Sequence, residues 1–183
     1  MACMTLPPGV AIRLARPSDL RHLAEIEDAG VPLFVEHLGP DTSAVLVSPA
    51  PSGLDRDLEP GFILVAAEGG RPVGFVHVTD HDGHAHLEQL SVLPEHGRRG
   101  IGGSLVRAAL EEARWAGYDE VSLCTFRDVP WNGPFYAGLG FEEVGRLAPY
   151  QQRLREHERA IGLDADGVRV VMSRRLGREV TDG

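Results

Sequence analysis

The residues best placed to do chemistry in this chain begin at Gly97-Arg98-Arg99-Gly100-Ile101-Gly102-Gly103-Ser104. Glycines let a backbone turn tightly and approach a ligand closely. A helix starting here would add unpaired N–H groups and the positive end of its dipole, which suits a phosphate. Arg98 and Arg99 add charge beside it. Two known phosphate cradles fail on spacing. The fingerprint G-x-G-x-x-G read from Gly100 meets Leu105, and no Gly-Lys-Ser/Thr end of a P-loop occurs. Just upstream, His86 and Glu88 could accept a proton. His81, His84 and His86 with Asp82 could geometrically hold zinc, but no further ligand cluster accompanies them, so no metal is expected. Cys124 lies in a buried-looking run and reads as a small core residue rather than a nucleophile.

Positioning the glycine turn requires a strand before it and a helix after it. Leu87 to Val92 supplies the strand. Its apolar positions change phase, odd at Ala85 and Leu87 but even at Leu90 and Val92, which predicts an inserted residue, a β-bulge. After the turn, Leu105, Val106, Ala109, Leu110 and Ala113 mark one helix face, with Arg107, Glu111, Glu112 and Arg114 opposite. Gly117 is a plausible stop. Val121 to Thr125 follows as a strand, completing a parallel crossover.

Upstream, Val10 to Arg16 reads as a first strand and Pro17-Ser18-Asp19 as a helix start with Ser18 as N-cap. The stripe Leu20, Leu23, Ala24 and Ile26 runs to about Ala29, and Pro32 to His37 begins a second short helix. Leu38 to Pro60 is irregular. Phe62 to Ala67 and Pro72 to Thr79 form a hairpin about Gly69-Gly70. Downstream, Asn132 can cap a short helix that Gly140 ends. Phe141 to Leu147 is a sixth strand. Pro149 to Ile161 reads as a helical connection, with Leu154, Ala160 and Ile161 on one side, and Val168 to Arg174 is a seventh strand. Leu176 to Gly183 is expected to fray.

Length and composition bound the reading. The chain has 183 residues, 43% hydrophobic and 25% charged, as an ordinary globular protein does. No apolar run reaches the roughly 18 residues of a membrane span, and the N-terminus lacks signal-peptide features. Two cysteines, Cys3 and Cys124, exclude a disulfide framework. The expectation is cytoplasmic, with no membrane partner. A net charge of −9 argues against nucleic-acid binding and could favour a cationic substrate, or simply solubility.

Gly97 to Gly102 resembles the Q/R-x-x-G-x-G/A motif of the GNAT N-acetyltransferase superfamily, departing from it at Gly97. Phe135-Tyr136-Ala-Gly-Leu-Gly-Phe141 resembles that superfamily's FY-x-x-L-G-F ending, one crossover unit downstream. The stretch from Thr125 through Trp131-Asn132 to Phe141 is similar to bacterial members of mostly unassigned substrate. The resemblance spans about residues 10 to 175 of a single domain over residues 1–183. It implies an α/β fold: a mixed, mostly antiparallel seven-stranded sheet, parallel at its fourth and fifth strands, with helices on both faces.

The resemblance also implies acetyl-CoA-dependent transfer to a primary amine of a small molecule or peptide. Leu90, Ser91 and Val92 would line the pantetheine, with the Val92 amide polarising the thioester. The main chain from Gly97 to Gly102, with Gly103 and Ser104 behind, would hold the pyrophosphate. Asn132 would contact the pantetheine arm, and Phe135 would lie beside it, more core than ligand. Tyr136 would be the acid for the leaving sulfur. The base is Glu88, or His86 second. A transferase of another acyl group and a non-catalytic acetyl-CoA sensor are the alternatives. A homodimer is possible, and the 38–60 stretch borders the acceptor side, as a lid or a loose insertion.

Overall fold

In the computed structural model, residues 6–177 are described. Seven strands form one sheet: β1 (Val10–Leu14), β2 (Gly61–Glu68), β3 (Arg71–His81), β4 (His84–Val92), β5 (Glu120–Phe126), β6 (Glu142–Glu143) and β7 (Arg169–Arg175). Their order is β1-β2-β3-β4-β5-β7-β6. Every pairing is antiparallel except β4 with β5. Six α-helices connect them: α1 (Leu23–Asp28), α2 (Val31–Leu38), α3 (Gly53–Asp57), α4 (Ile101–Trp115), α5 (Gly133–Gly138) and α6 (Pro149–Ala160). Among the described residues no helix is long and apolar enough to cross a membrane. Cys3 and residues 178–183 of the expected tail lie outside the described residues; Leu176 N–H donates to the Asp119 carbonyl.

The β2–β3 hairpin turns on Gly69 and Gly70, whose φ values of 58° and 85° suit a two-residue turn that continues the strand twist. Alternation then sorts side chains to two faces. Val76, Val78, Ala85 and Leu87 meet Leu105, Val106, Ala109 and Ala113 of α4 in one apolar core. On the other face Ile63, Val65 and Phe75 meet Leu20, Leu23 and Ile26.

The phase slip in β4 is a bulge. Val78 pairs with Leu87 and His77 with Gln89, which leaves Glu88 as the extra residue. The parallel seam between β4 and β5 is short, joining only Ala85 to Val121 and His86 to Ser122. Past His86 the two strands part.

Several local expectations are corrected. Ser18 does not cap: the Asp19 carboxylate accepts from Arg16 N at 2.7 Å and Arg13 Nη1 at 2.6 Å, and Leu20–His22 is a 3-10 turn before α1. The 38–60 stretch contains α3, capped by Ser52, whose hydroxyl accepts from Asp55 N. Only Glu142 and Glu143 pair as β6. Helix α6 buries Tyr150, Gln151 and Arg155, whereas Ala160 and Ile161 are exposed.

Candidate active site

The glycine turn has the shape its composition predicts. After a 3-10 turn at Pro94–His96, Arg98 and Gly100 take positive φ values of 56° and 79°, and α4 begins at Ile101 with no side chain capping it. Its first N–H groups are thus free for an anion. A Cβ on Gly102 would stand 3.7 Å from the Phe135 ring and 3.8 Å from Val92 Cγ2, so protein packing alone would admit one. Arg99 is held by Glu68 at 2.8 Å and by His96 at 2.8 Å. Among the described residues Arg98 makes no ion pair, which leaves it the available cation of the two. Sequence reading had put Arg107 on the solvent side. Its guanidinium instead folds back to donate to Ser104 Oγ at 3.3 Å and lies against Gly103.

Where β4 and β5 part, Leu90 and Val92 pack with Phe135 around Gly102. Main-chain groups of residues 87–92 that face β5 have no strand partner there. The Ser91 hydroxyl accepts from Gln89 Nε2 at 2.9 Å. Tyr136 is buried, 9% exposed, with its ring edge-on to Phe135 and Phe141. Its hydroxyl makes no hydrogen bond among the described residues, yet is not sealed from solvent. Burial pushes its phenol pKa well up. Asn132 precedes α5 with φ −117° and ψ −106° and does not cap it by its side chain; its Oδ1 accepts from the Thr125 hydroxyl at 3.0 Å.

On the opposite face Glu88 projects from the bulge, its side chain 45% exposed. Surrounding protein and then Glu59 raise its carboxyl above the ordinary range. His86 is 3% exposed, with Nδ1 at 2.9 Å from Ser122 Oγ and Nε2 at 3.9 Å from Glu88. Burial drives its pKa down to about 3, so the ring is neutral. The structure therefore brings Glu88 and His86 to one point and sets Tyr136 with the glycine turn on the α4 side of the parted strands.

Other polar residues here escaped sequence reading. His77, 1% exposed and beside the bulge, has both ring nitrogens unpartnered, with Nε2 3.9 Å from Glu59; burial lowers its pKa to about 4. Arg56 is buried against the Phe75 ring and pairs with Glu27. Tyr150 stacks on His84 with ring centroids 4.5 Å apart, and Arg155 joins Glu158 and Asp164. Ser43 of the 38–60 stretch donates its N–H to Asp166 at 2.7 Å, tying that stretch to the α6–β7 connection. Arg56, Tyr150 and Arg155 lie in helices, where a polar residue gives no periodic signal that it will be buried.

The zinc arrangement is not assembled: among the described residues no group of three or more His, Cys, Asp or Glu could hold a metal. Cys124 is half-buried, its thiol pushed up to about 12 chiefly by burial. An open groove of about 760 Å³ is lined by Glu142, Arg146, Gln151 and Arg174, away from the parted strands.

The bulge at Glu88, the short seam and the uncapped helix after the glycine turn all lie within or beside one stretch that a known family covers. A profile of the acetyltransferase (GNAT) family matches residues 32–141. The chain belongs to the GNAT acetyltransferase family. Solved structures have the same fold. A GCN5-related N-acetyltransferase from Rhodopseudomonas palustris is 21% identical, spans 96% of this chain and 99% of its own, and has a TM-score of 0.67. A GNAT family acetyltransferase from Brucella melitensis, in complex with acetyl-CoA, is 25% identical over 73% of this chain and 82% of its own, with a TM-score of 0.52. The PaiA N-acetyltransferase from Thermoplasma acidophilum, in complex with coenzyme A, is 16% identical over 91% and 98%, at 0.65. The chain is thus a GNAT-type N-acetyltransferase whose sheet is the mixed, seven-stranded one expected.

Proposed function

We propose that this GNAT protein transfers acetyl from acetyl-CoA directly to a primary amine, with Glu88 as base and Tyr136 as acid. The observation that carries the reading is the opening between β4 and β5, with Glu88 on one side of the sheet and Tyr136 with the glycine turn on the other. The residues present fit the cofactor: an uncapped fifteen-residue helix offers N–H donors, and Gly100 makes the left-handed turn before it.

Acetyl-CoA would supply an electrophilic thioester carbonyl and a thiolate leaving group. The main chain at Leu90, Ser91 and Val92, without a partner on its β5 side, would bind the pantetheine arm as an added strand does. The Val92 amide is the donor assigned to the carbonyl oxygen as it gains charge; one such donor is worth about 2.7–4 kcal/mol in the transition state. Arg98, Gly100, Ile101 and Gly102 would hold the pyrophosphate, with Arg99 serving mainly to brace the turn through Glu68. The Gly97 N–H is taken by the Pro94 carbonyl at 3.0 Å, so Gly97 shapes the turn and does not donate. Gly103 and Ser104, with Arg107 folded over them, extend that surface. Asn132 and Phe135 would flank the arm.

Glu88 takes the proton that the attacking amine loses. Its raised pKa brings the carboxylate nearer neutrality, where a general base is most effective. The Tyr136 phenol stays protonated because burial disfavours its anion. The same shift makes it a weak acid, so it delivers its proton only as the carbon–sulfur bond breaks. Products are the N-acetyl amide and the CoA thiol.

A CoA-release assay over monoamines, polyamines, amino acids and peptide N-termini tests this. Release with at least one amine, dependent on Glu88, is expected. Tight acetyl-CoA binding with no release across the panel would favour a sensor instead.

A further inference from the structure

Resting on the reading of Glu88 as base, we infer that His86 is a positioning residue. A chain of hydrogen bonds running from the Ala148 main chain through Gln151, Tyr150 and Ser122 locks its imidazole as the Nε2–H tautomer, aimed at Glu88.

The direction of each bond follows from the one before. A main-chain N–H can only donate, and Ala148 N–H meets Gln151 Oε1 at 2.9 Å, which fixes the orientation of the amide. Gln151 Nε2 therefore donates to the Tyr150 hydroxyl at 3.2 Å. Tyr150 donates its own proton to Ser122 Oγ at 3.1 Å. Ser122 is 0% exposed, and its hydroxyl lies 2.9 Å from His86 Nδ1. If His86 Nδ1 carried the proton, Ser122 would either accept from both neighbours or donate back to Tyr150. One buried hydroxyl hydrogen, that of Ser122 or that of Tyr150, would then have no acceptor in the chain. That is the costlier arrangement. The satisfied alternative has Ser122 donating to Nδ1, which leaves the proton on Nε2.

This ring cannot serve as the base. Its one basic nitrogen already accepts from Ser122. Charging it is opposed by burial and by the neighbouring His81 of β3 and Arg169 of β7. What it can do is present Nε2–H to Glu88 Oε2, 3.9 Å away, a gap that a small torsion of the half-exposed Glu88 side chain closes. Donation to one carboxylate oxygen favours the ionised form and leaves the other oxygen for the amine proton. It works against Glu59 and Glu158, which push the Glu88 pKa up, alongside Arg56 and His157, which push it down. Sequence reading offered His86 as an alternative base; this arrangement makes it the donor that orients the base.

The test is a long-range proton–nitrogen correlation spectrum of the full chain labelled with nitrogen-15 histidine, with His86 identified by its loss in His86→Gln. A neutral Nε2–H ring that does not titrate from about pH 5 to 8 is expected. A Nδ1–H ring, or one titrating near 6.5, overturns the inference. In Ser122→Ala the tautomer lock should be lost. The acid limb of kcat/KM should then move up by about half to one pH unit, at unchanged acetyl-CoA affinity. An unmoved limb in a folded Ser122→Ala overturns it too. Should that variant not fold, the wild-type spectrum decides. The spectrum is independent of turnover, so failure of the amine panel and failure of the tautomer are separate outcomes.

Discussion

On the face covered by α4 the sheet buries Val76, Val78, Leu87, Leu105 and Val106; on the other, past the patch under α1, it buries His77, His86, Ser122, Gln151 and Arg155. Both faces exclude water, but by different physics. Apolar burial is non-directional and needs only volume and fit. Polar burial is costly wherever a donor or acceptor lacks a partner, as both ring nitrogens of His77 do. Where partners exist, as from Gln151 through Tyr150 and Ser122 to His86, each contact depends on the one behind it. The proposed cofactor turn leads directly into the apolar side, whereas the proposed acceptor side holds Glu88, His77 and His86, which titrate. Cofactor binding should therefore tolerate changes in pH better than catalysis or stability does.

That contrast can be broken most sharply at the turn. Gly100→Glu puts bulk, charge and an L side chain at φ 79°, and should weaken acetyl-CoA binding at least ~100-fold, since it sets an anion where the pyrophosphate belongs. Calorimetric titration reads it, and near-normal affinity would mean that the cradle lies elsewhere. On the polar side Glu88→Gln should cut kcat by roughly 10²-fold or more while leaving acetyl-CoA affinity in place. A fall in both together would make Glu88 structural.

Stability should divide the same way. His77 and His86 have folded pKa values near 4 and near 3, against 6.5 when unfolded. Between those values the unfolded chain binds more protons, so stability is complete above about pH 6.5 and falls as pH drops. The slope is about 1.4 kcal/mol per pH unit for each histidine. Urea unfolding at pH 5 and pH 7.5 measures this, and equal stabilities would mean that the rings are charged in the fold. Leu105→Ala, on the apolar face, should cost about 2–5 kcal/mol evenly at both pH values. The smallest effect expected on activity is that of Tyr136→Phe, a loss of turnover of about 10²-fold, at the low end for a general acid, with acetyl-CoA affinity unchanged. Stopped-flow CoA release checks it, and wild-type turnover would remove Tyr136 from the acid role.

The sequence carried the apolar face well because period and glycine placement are local properties. The α4 stripe from Leu105 to Ala113 is buried as its spacing predicts. A phase change between Leu87 and Leu90 was enough to locate the bulge at Glu88. The caps at Ser18 and Asn132 failed because a cap needs the right dihedral angles and a free side-chain oxygen. Asp19 supplies the turn at one, and Thr125 occupies the oxygen at the other. Helix α6 was misread for a deeper reason. Its buried residues are polar, and the partner that anchors Tyr150, Ser122 of β5, comes from a distant part of the chain. No window of sequence contains both ends of such a bond.

The two rungs between β4 and β5 also set how the whole sheet can move. Four strands lie on one side of that seam and three on the other, and among the described residues their backbones pair across it only at Ala85–Val121 and His86–Ser122. These two rungs lie at one end of the opening and not in its middle. Small rotations about them would widen or narrow the far end, where the glycine turn sits, far more than the near end, where His86 stays fixed. A molecule threaded through that opening would act as a keystone, stiffening two plates that otherwise share little backbone.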